Sequence, residues 1–230
     1  MDKATRFLAY VQLLDSALPI GSFSHSFGLE TYVQEGHITD RKQLEMFIES
    51  QIHGGLVRFE GLAVKGCHLA LGRDDLREFC VFDRILIAQR LSRESREGLQ
   101  KMGKRLLKLA ETLHPWMDIA RLKDALQRFG GTGCLPSIHA YLNFHLGIDC
   151  DDTVRGYLYT GVNMMISSAL RLMPIGQTDG QAILARMLPV IEREWQAVKD
   201  LPPERLHSFN ISQEIAAMNH ETLYSRLFMS

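Results

Sequence analysis

Cysteine is scarce in this 230-residue sequence, and Cys67, Cys80, Cys134 and Cys150 show no CxxC spacing. The pattern points away from a disulfide scaffold and fits reduced structural thiols of a cytoplasmic protein. An excess of one charge is also missing. Lys and Arg number 26 against 27 Asp and Glu, a formal net charge of −1, and no block of like charges occurs. Nucleic-acid binders usually show a basic face, so neither nucleic acid nor an anionic membrane is expected as the main partner. Long apolar runs are absent too. The longest uncharged stretch, Gly156 to Leu170, carries Tyr, Thr, Asn and Ser and falls short of the ~20 residues of a membrane-spanning helix. A buried helix is predicted there instead. Met1-Asp2-Lys3 lacks the basic start and apolar run of a secretory signal, so export is not expected.

What is present is helical periodicity. Phe7, Val11, Leu14 and Leu18 fall on one stripe of a predicted first helix that ends at Pro19-Ile20-Gly21. Leu44, Phe47, Ile48 and Ile52 repeat the spacing, with Asp40 and Gln43 as a capping-box start. Leu99, Met102, Leu106, Leu109 and Leu113 mark a long amphipathic helix with a basic, solvated far face, stopped by Pro115. Thr178 and Gln181 suggest the start of another, lined by Leu184, Leu188, Ile191, Trp195 and Val198, with a kink at Pro189 and an end at Pro202-Pro203. Asn210 and Gln213 suggest a short further helix. No period-two run between hairpin signals occurs, so the expectation is an all-α, single-domain bundle of roughly ten helices. A chain of this size can bury roughly 70 to 75% of its unfolded surface in one domain.

Few residue patterns carry chemistry. Gly130-Gly131-Thr132-Gly133 lacks the GK[ST] ending of a phosphate-binding loop and reads as a flexible mid-chain loop. None of the nine histidines has the helical spacing of a metal site. Cys67-His68, the looser group of Cys134, His139, His145 and Cys150, and Met164-Met165 read as packing or surface residues. No metal or cofactor site is therefore assigned. The run from Asp15 to Glu30 is the most unusual, mixing hydroxyls, aromatics and small residues. As an active site it offers His25 as base, Ser24 or Ser26 as nucleophile, and Glu30 or Asp15 as orienter, and Asp179 is a second acid within the enzyme alternative. As structure it is a break between helices, with Ser22 or Ser24 capping the second.

The run Leu14-Asp15-Ser16-Ala17-Leu18-Pro19-Ile20-Gly21-Ser22-Phe23-Ser24-His25-Ser26-Phe27-Gly28-Leu29-Glu30 also resembles the opening signature of the UreF family of urease accessory proteins. Three further stretches agree in order: Ser95 to Leu107 with Met102-Gly103, Asn163 to Gln181 with the run Arg171 to Gln181, and His220 to Phe228. The resemblance implies a non-catalytic, cytoplasmic, all-helical dimer without cofactor, acting as a nickel-insertion chaperone or scaffold. It implies binding to a UreD/UreH-type accessory protein and recruitment of the GTPase UreG, which brings the nucleotide and nickel to apo-urease for assembly of the metallocentre. Residues 221–230 then form a partner-binding tail, in which Leu223, Tyr224, Leu227 and Phe228 have helix-like spacing. Tyr224, Arg226, Leu227 and Phe228 are expected to dock on the UreD-type partner. Ser24, His25 and Glu30, with Gln177 and Asp179 of the Gly176-to-Gln181 turn, are expected to shape the GTPase-facing or dimer surface.

Overall fold

The structure, a computed structural model, describes residues 2–230. Among the described residues there are eleven α-helices and no strand, the arrangement that stripes of period 3.6 demand. α1 (Lys3–Leu13) and the short α2 (Leu29–Gln34) flank the Pro-Gly segment. α3 (Arg41–Gln51) runs unbroken through a π-helical stretch, Ile52–Gly61, into α4 (Leu62–Gly72). Next come α5 (Leu76–Ala88), α6 (Arg93–Leu113), α7 (Ile119–Phe129) and α8 (Leu135–Leu146). The long α9 (Cys150–Leu172) and α10 (Gln177–Val198) precede the short α11 (Ile211–Asn219).

Several helix starts are fixed by a short acidic or hydroxyl side chain accepting a main-chain N–H three residues on. Asp40 accepts from Gln43 N at 2.8 Å, Asp75 from Glu78 N at 2.9 Å, Asp118 from Arg121 N at 3.0 Å and Asp149 from Asp152 N at 2.8 Å. Each such cap stabilises its helix by about 1 kcal/mol. α4, α8 and α9 pack against one another at the centre, with α5 and α6 outside α4 and α8, and α10 along α9. Their buried side chains form one continuous core, so the chain is a single-domain bundle. α9, the buried helix expected over 156–170, is part of it. The predicted stripe of α3 is buried at Leu44, Phe47 and Ile48, and that of α6 at Leu99, Met102 and Leu106. Gly103 of α6 lies so close to α8's lead-in that an added Cβ would sit 2.0 Å from the Gly133 carbonyl oxygen.

Other expectations are corrected. The first helix stops at Leu13, and Phe7 and Val11 are exposed. The opposite face is the buried one, because the Tyr10 hydroxyl bonds the Asp152 carbonyl oxygen at 2.6 Å and the Tyr10 ring lies against Gly156 of α9. α10 starts at Gln177, with Gly176 as cap and Asp179 accepting Gly176 N at 3.4 Å, in place of a start at Thr178. Within α10 Leu188 faces solvent, whereas Leu184, Ile191, Trp195 and Val198 are buried. Neither Ser22 nor Ser24 caps α2; Ser26 Oγ accepts Glu30 N at 3.3 Å. Leu223 to Phe228 do not form a helix, despite their spacing.

The glycine loop at 130–133 is tied down instead of flexible. Asp83 of α5 is fully buried, and its carboxylate accepts from Thr132 N, Thr132 Oγ1, Gly133 N, Cys134 N and Ser137 Oγ. The main-chain N–H groups that could cradle a phosphate are thus turned onto the protein's own carboxylate. Removing that carboxylate strands buried donors, and the cost of breaking a buried charge network is about 3–5 kcal/mol. Asp83→Ala is therefore expected to lower unfolding free energy by about that amount, read from the urea midpoint at unchanged slope.

Candidate functional site

The segment from Ser22 to Glu30 makes a single 3-10 turn, Ser22–Ser24, and then a left-handed pair. Phe27 has φ 50° and Gly28 φ 92°. Gly28 is required twice over: a side chain is strained at that φ, and an added Cβ would meet Ala217 N of α11 at 3.0 Å. This close approach seats α11 on α2. Thr31 Oγ1 donates to the Ala216 carbonyl at 2.8 Å, and Gln213 Nε2 to the Phe27 carbonyl at 3.1 Å. From the other side Glu214 accepts Leu91 N at 2.8 Å and Ser92 N at 3.2 Å, holding α11 to the start of α6.

Beyond α11 the chain makes a turn at His220–Thr222 and folds back over the same segment. Met229 N donates to the Ser24 carbonyl at 2.8 Å, and Ser26 N and Phe27 N donate to the Ser230 carbonyl oxygen at 2.6 and 3.1 Å. Side chains reinforce the seam. Ser26 Oγ donates to the same Ser230 oxygen at 2.9 Å, and His25 Nδ1 lies 2.8 Å from Ser230 Oγ. Phe228 is 4% exposed and sits under the Arg171 guanidinium, 4.4 Å from its ring centre. Arg171 also donates to the Phe23 carbonyl, so one side chain of α9 clamps both strands of the seam.

Glu30 is the centre of this arrangement. Its side chain is 1% exposed, yet it is surrounded by polar nitrogens. One oxygen accepts Leu227 N at 2.6 Å and Gln34 Nε2 at 3.1 Å; the other accepts Phe228 N at 3.0 Å and faces His220 Nε2 at 2.9 Å. His220 Nδ1 lies 2.7 Å from Glu94, whose other oxygen accepts Arg226 Nη1 at 2.7 Å. Burying a carboxylate is costly unless it is paired and fully hydrogen-bonded, and here the tail supplies two of the four partners and His220, just before it, a third. His220 and Glu94 carried no expectation from the sequence. Only the position of His220 within the terminal resembling stretch hinted at a role.

Ser24, His25, Glu30, Arg226 and Phe228 are therefore brought together. Tyr224 and Leu227 project outward from the same tail, exposed. Gln177 and Asp179 lie elsewhere, at the start of α10, where Asp179 pairs with Arg41 of α3 at 2.7 Å. Beside the tail, α11 presents Ile211, Ile215 and Met218 on one stripe, 58%, 51% and 47% exposed, flanked by exposed Phe209 and Leu91. The acid-base constellation of the enzyme alternative is not assembled. His25 faces Ser230, Glu30 faces His220 and the tail, and Asp15 Oδ1 accepts Ala17 N at 2.8 Å within its own turn. Burial, with Lys101 and Arg105 nearby, pulls His25 down to about 4. Burial does the same to His139, and pushes the Cys67 and Cys134 thiols well up. Among the described residues no three His, Cys, Asp or Glu side chains converge as metal ligands.

Fold and site together define an all-helical bundle whose most elaborate feature is a tail docked on an internal signature. The chain belongs to the UreF family. The UreF family model matches residues 38–188, a span that leaves the signature and the tail outside. Full-length relatives include them. The chain is 38% identical over 225 residues to the urease accessory protein UreF of Bacillus sp. (strain TB-90), covering 98% of this chain and 99% of that one. It is 34% identical over 223 residues to that of Lachnoclostridium phytofermentans, covering 97% and 98%. With that of Streptococcus salivarius (strain 57.I) it shares 32% over 224 residues, 97% and 94% of the two chains.

Burial holds four histidines, His25, His68, His114 and His139, below their ordinary value, and the two pulled down to about 4, His25 and His139, give stability its widest pH dependence. Neutral His25 and His139 contribute fully above their ordinary value of 6.5, and the contribution is lost as pH falls through that value toward about 4, because the unfolded chain takes up protons first. Urea midpoints should fall across that window. His139→Gln should flatten the slope.

Proposed function

We propose that this protein is a non-catalytic scaffold of urease maturation, acting in the cytoplasm as a nickel-insertion chaperone. It binds a UreD/UreH-type accessory protein, recruits the GTPase UreG and meets apo-urease through the assembled complex, in which nickel is cargo. One observation carries this reading: the resemblance to urease accessory proteins runs the length of the chain, at 32–38% identity. Surface chemistry supports it. Large apolar side chains exposed in a stripe mark interaction sites, and among the described residues such stripes lie on α1 at Phe7, Leu8 and Val11 and on α11 at Ile211, Ile215 and Met218. A homodimer contact and a contact with one different partner would use two surfaces. We assign the α11 stripe with the tail that follows it to the UreD-type partner and assign α1 to the homodimer. In this reading Tyr224, Arg226, Leu227 and Phe228 are tail anchors. Ser24, His25 and Glu30 shape the surface beneath them, and Gln177 and Asp179 belong to the GTPase-facing or dimer side.

The decisive experiment is nickel-dependent urease activity in cells that hold the urease genes but lack their own UreF-type protein. Expression of this chain with matched partners should restore activity. Soluble expression without restoration would overturn the reading. Co-purification gives the surface: deleting residues 224–230 should abolish capture of the UreD-type partner, and Ile215→Asp should weaken it by about 2 kcal/mol or more, the cost of losing a buried anchor.

A further inference from the structure

Both ring nitrogens of His220 face carboxylate oxygens, Glu30 at 2.9 Å and Glu94 at 2.7 Å. A neutral imidazole donates from one nitrogen and presents a lone pair on the other, whereas a carboxylate oxygen only accepts. With a neutral ring, one of these two contacts would set lone pair against lone pair in a fully buried site. Neither carboxylate can turn away to relieve that contact without stranding other donors. Glu30 already receives Leu227 N, Phe228 N and Gln34 Nε2, and Glu94 receives Arg226. We propose that His220 pins the tail as an imidazolium, so that the closed tail holds one proton more than the open tail and loss of that proton releases it.

The charges then close: Glu30 and Glu94 against His220 and Arg226 sum to zero. The groups facing the ring come from three elements, Glu30 on α2, Glu94 on α6 and, beyond Glu94, Arg226 on the tail. At the rim Arg93 and Glu221 pair with each other at 3.0 Å. Linkage fixes the direction, since a state that binds an extra proton is favoured by acid and opposed by alkali. His25, the other histidine on the seam, cannot account for an opening on the alkaline side. Its titration lies near pH 4, and it is neutral well before. This inference rests on the reading of the tail as the partner-binding element.

The test uses the isolated full chain without partner. Two-bond nitrogen–proton NMR spectra of labelled histidine should show both His220 nitrogens protonated while the tail is closed. As pH rises, exchange of the Leu227 and Phe228 amides, corrected for its intrinsic pH dependence, should quicken by about tenfold or more as the tail opens. Glu94→Gln is the discriminating variant, because its amide can donate to a bare Nδ1 while its oxygen keeps Arg226. In that variant the two amides should stay slow across the same titration. A singly protonated ring in the closed tail, or an unchanged pH dependence in Glu94→Gln, would overturn the proposal. These readouts stand apart from partner binding: loss of the latch leaves the co-purification result untouched, and a tail dispensable for co-purification leaves the latch measurable.

Discussion

The burial of Glu30 is the constraint on which the rest of the site depends. A carboxylate placed under the surface at the first turn of a six-residue helix has to find donors, and α2 supplies only one, Gln34 Nε2. The other partners come from residues far along the chain. The requirement explains why α11 must reach the Gly28 backbone, why the chain turns at His220, and why Leu227 and Phe228 lie with their N–H groups inward. Asp83 solves the same problem in the other half of the bundle, with the 132–134 loop as its donors. In both places a single buried acid on a helix dictates the course of a segment that has no regular structure of its own.

The bundle itself was legible in the sequence because burial on a helix leaves a period. α3, α6 and α9 each present one apolar side and one polar side, or an apolar run of the right length. α1 misled because it is apolar on both faces: Phe7 and Val11 compete with Tyr10 and Leu13, and only the hydroxyl contact of Tyr10 with α9 decides between them. The loop at 130–133 misled for another reason. Its order comes from Asp83, 49 to 51 residues away, and no local pattern records such a partner. The tail combined both failings, since its spacing imitates a helix and its true contacts lie nearly two hundred residues upstream.

The candidate site was readable as a location more than as a geometry. The stretch from Asp15 to Glu30 stood out by its mixture of residue types and by its resemblance to a family signature. Pairing it with the tail required knowing that Glu30 is buried, which a charged residue near a glycine does not advertise. Even Asp179, at a plausible turn, turned out to accept the N–H of the capping Gly176 and to pair with an arginine on α3, apart from the tail. Residue type singled out the acids, and tertiary distance decided what each one does.

One consequence concerns biosynthesis. Glu30 is made 198 residues before Phe228, whose N–H it accepts. During translation the rest of the bundle can therefore assemble around a site whose acid still lacks most of its donors and must remain open to water. Only a ribosome that has read through to the tail delivers a molecule with that site sealed. A product truncated before the tail would expose a hydrated carboxylate where the chain carrying the tail shows a closed seam, a chemical difference between the two at one buried acid.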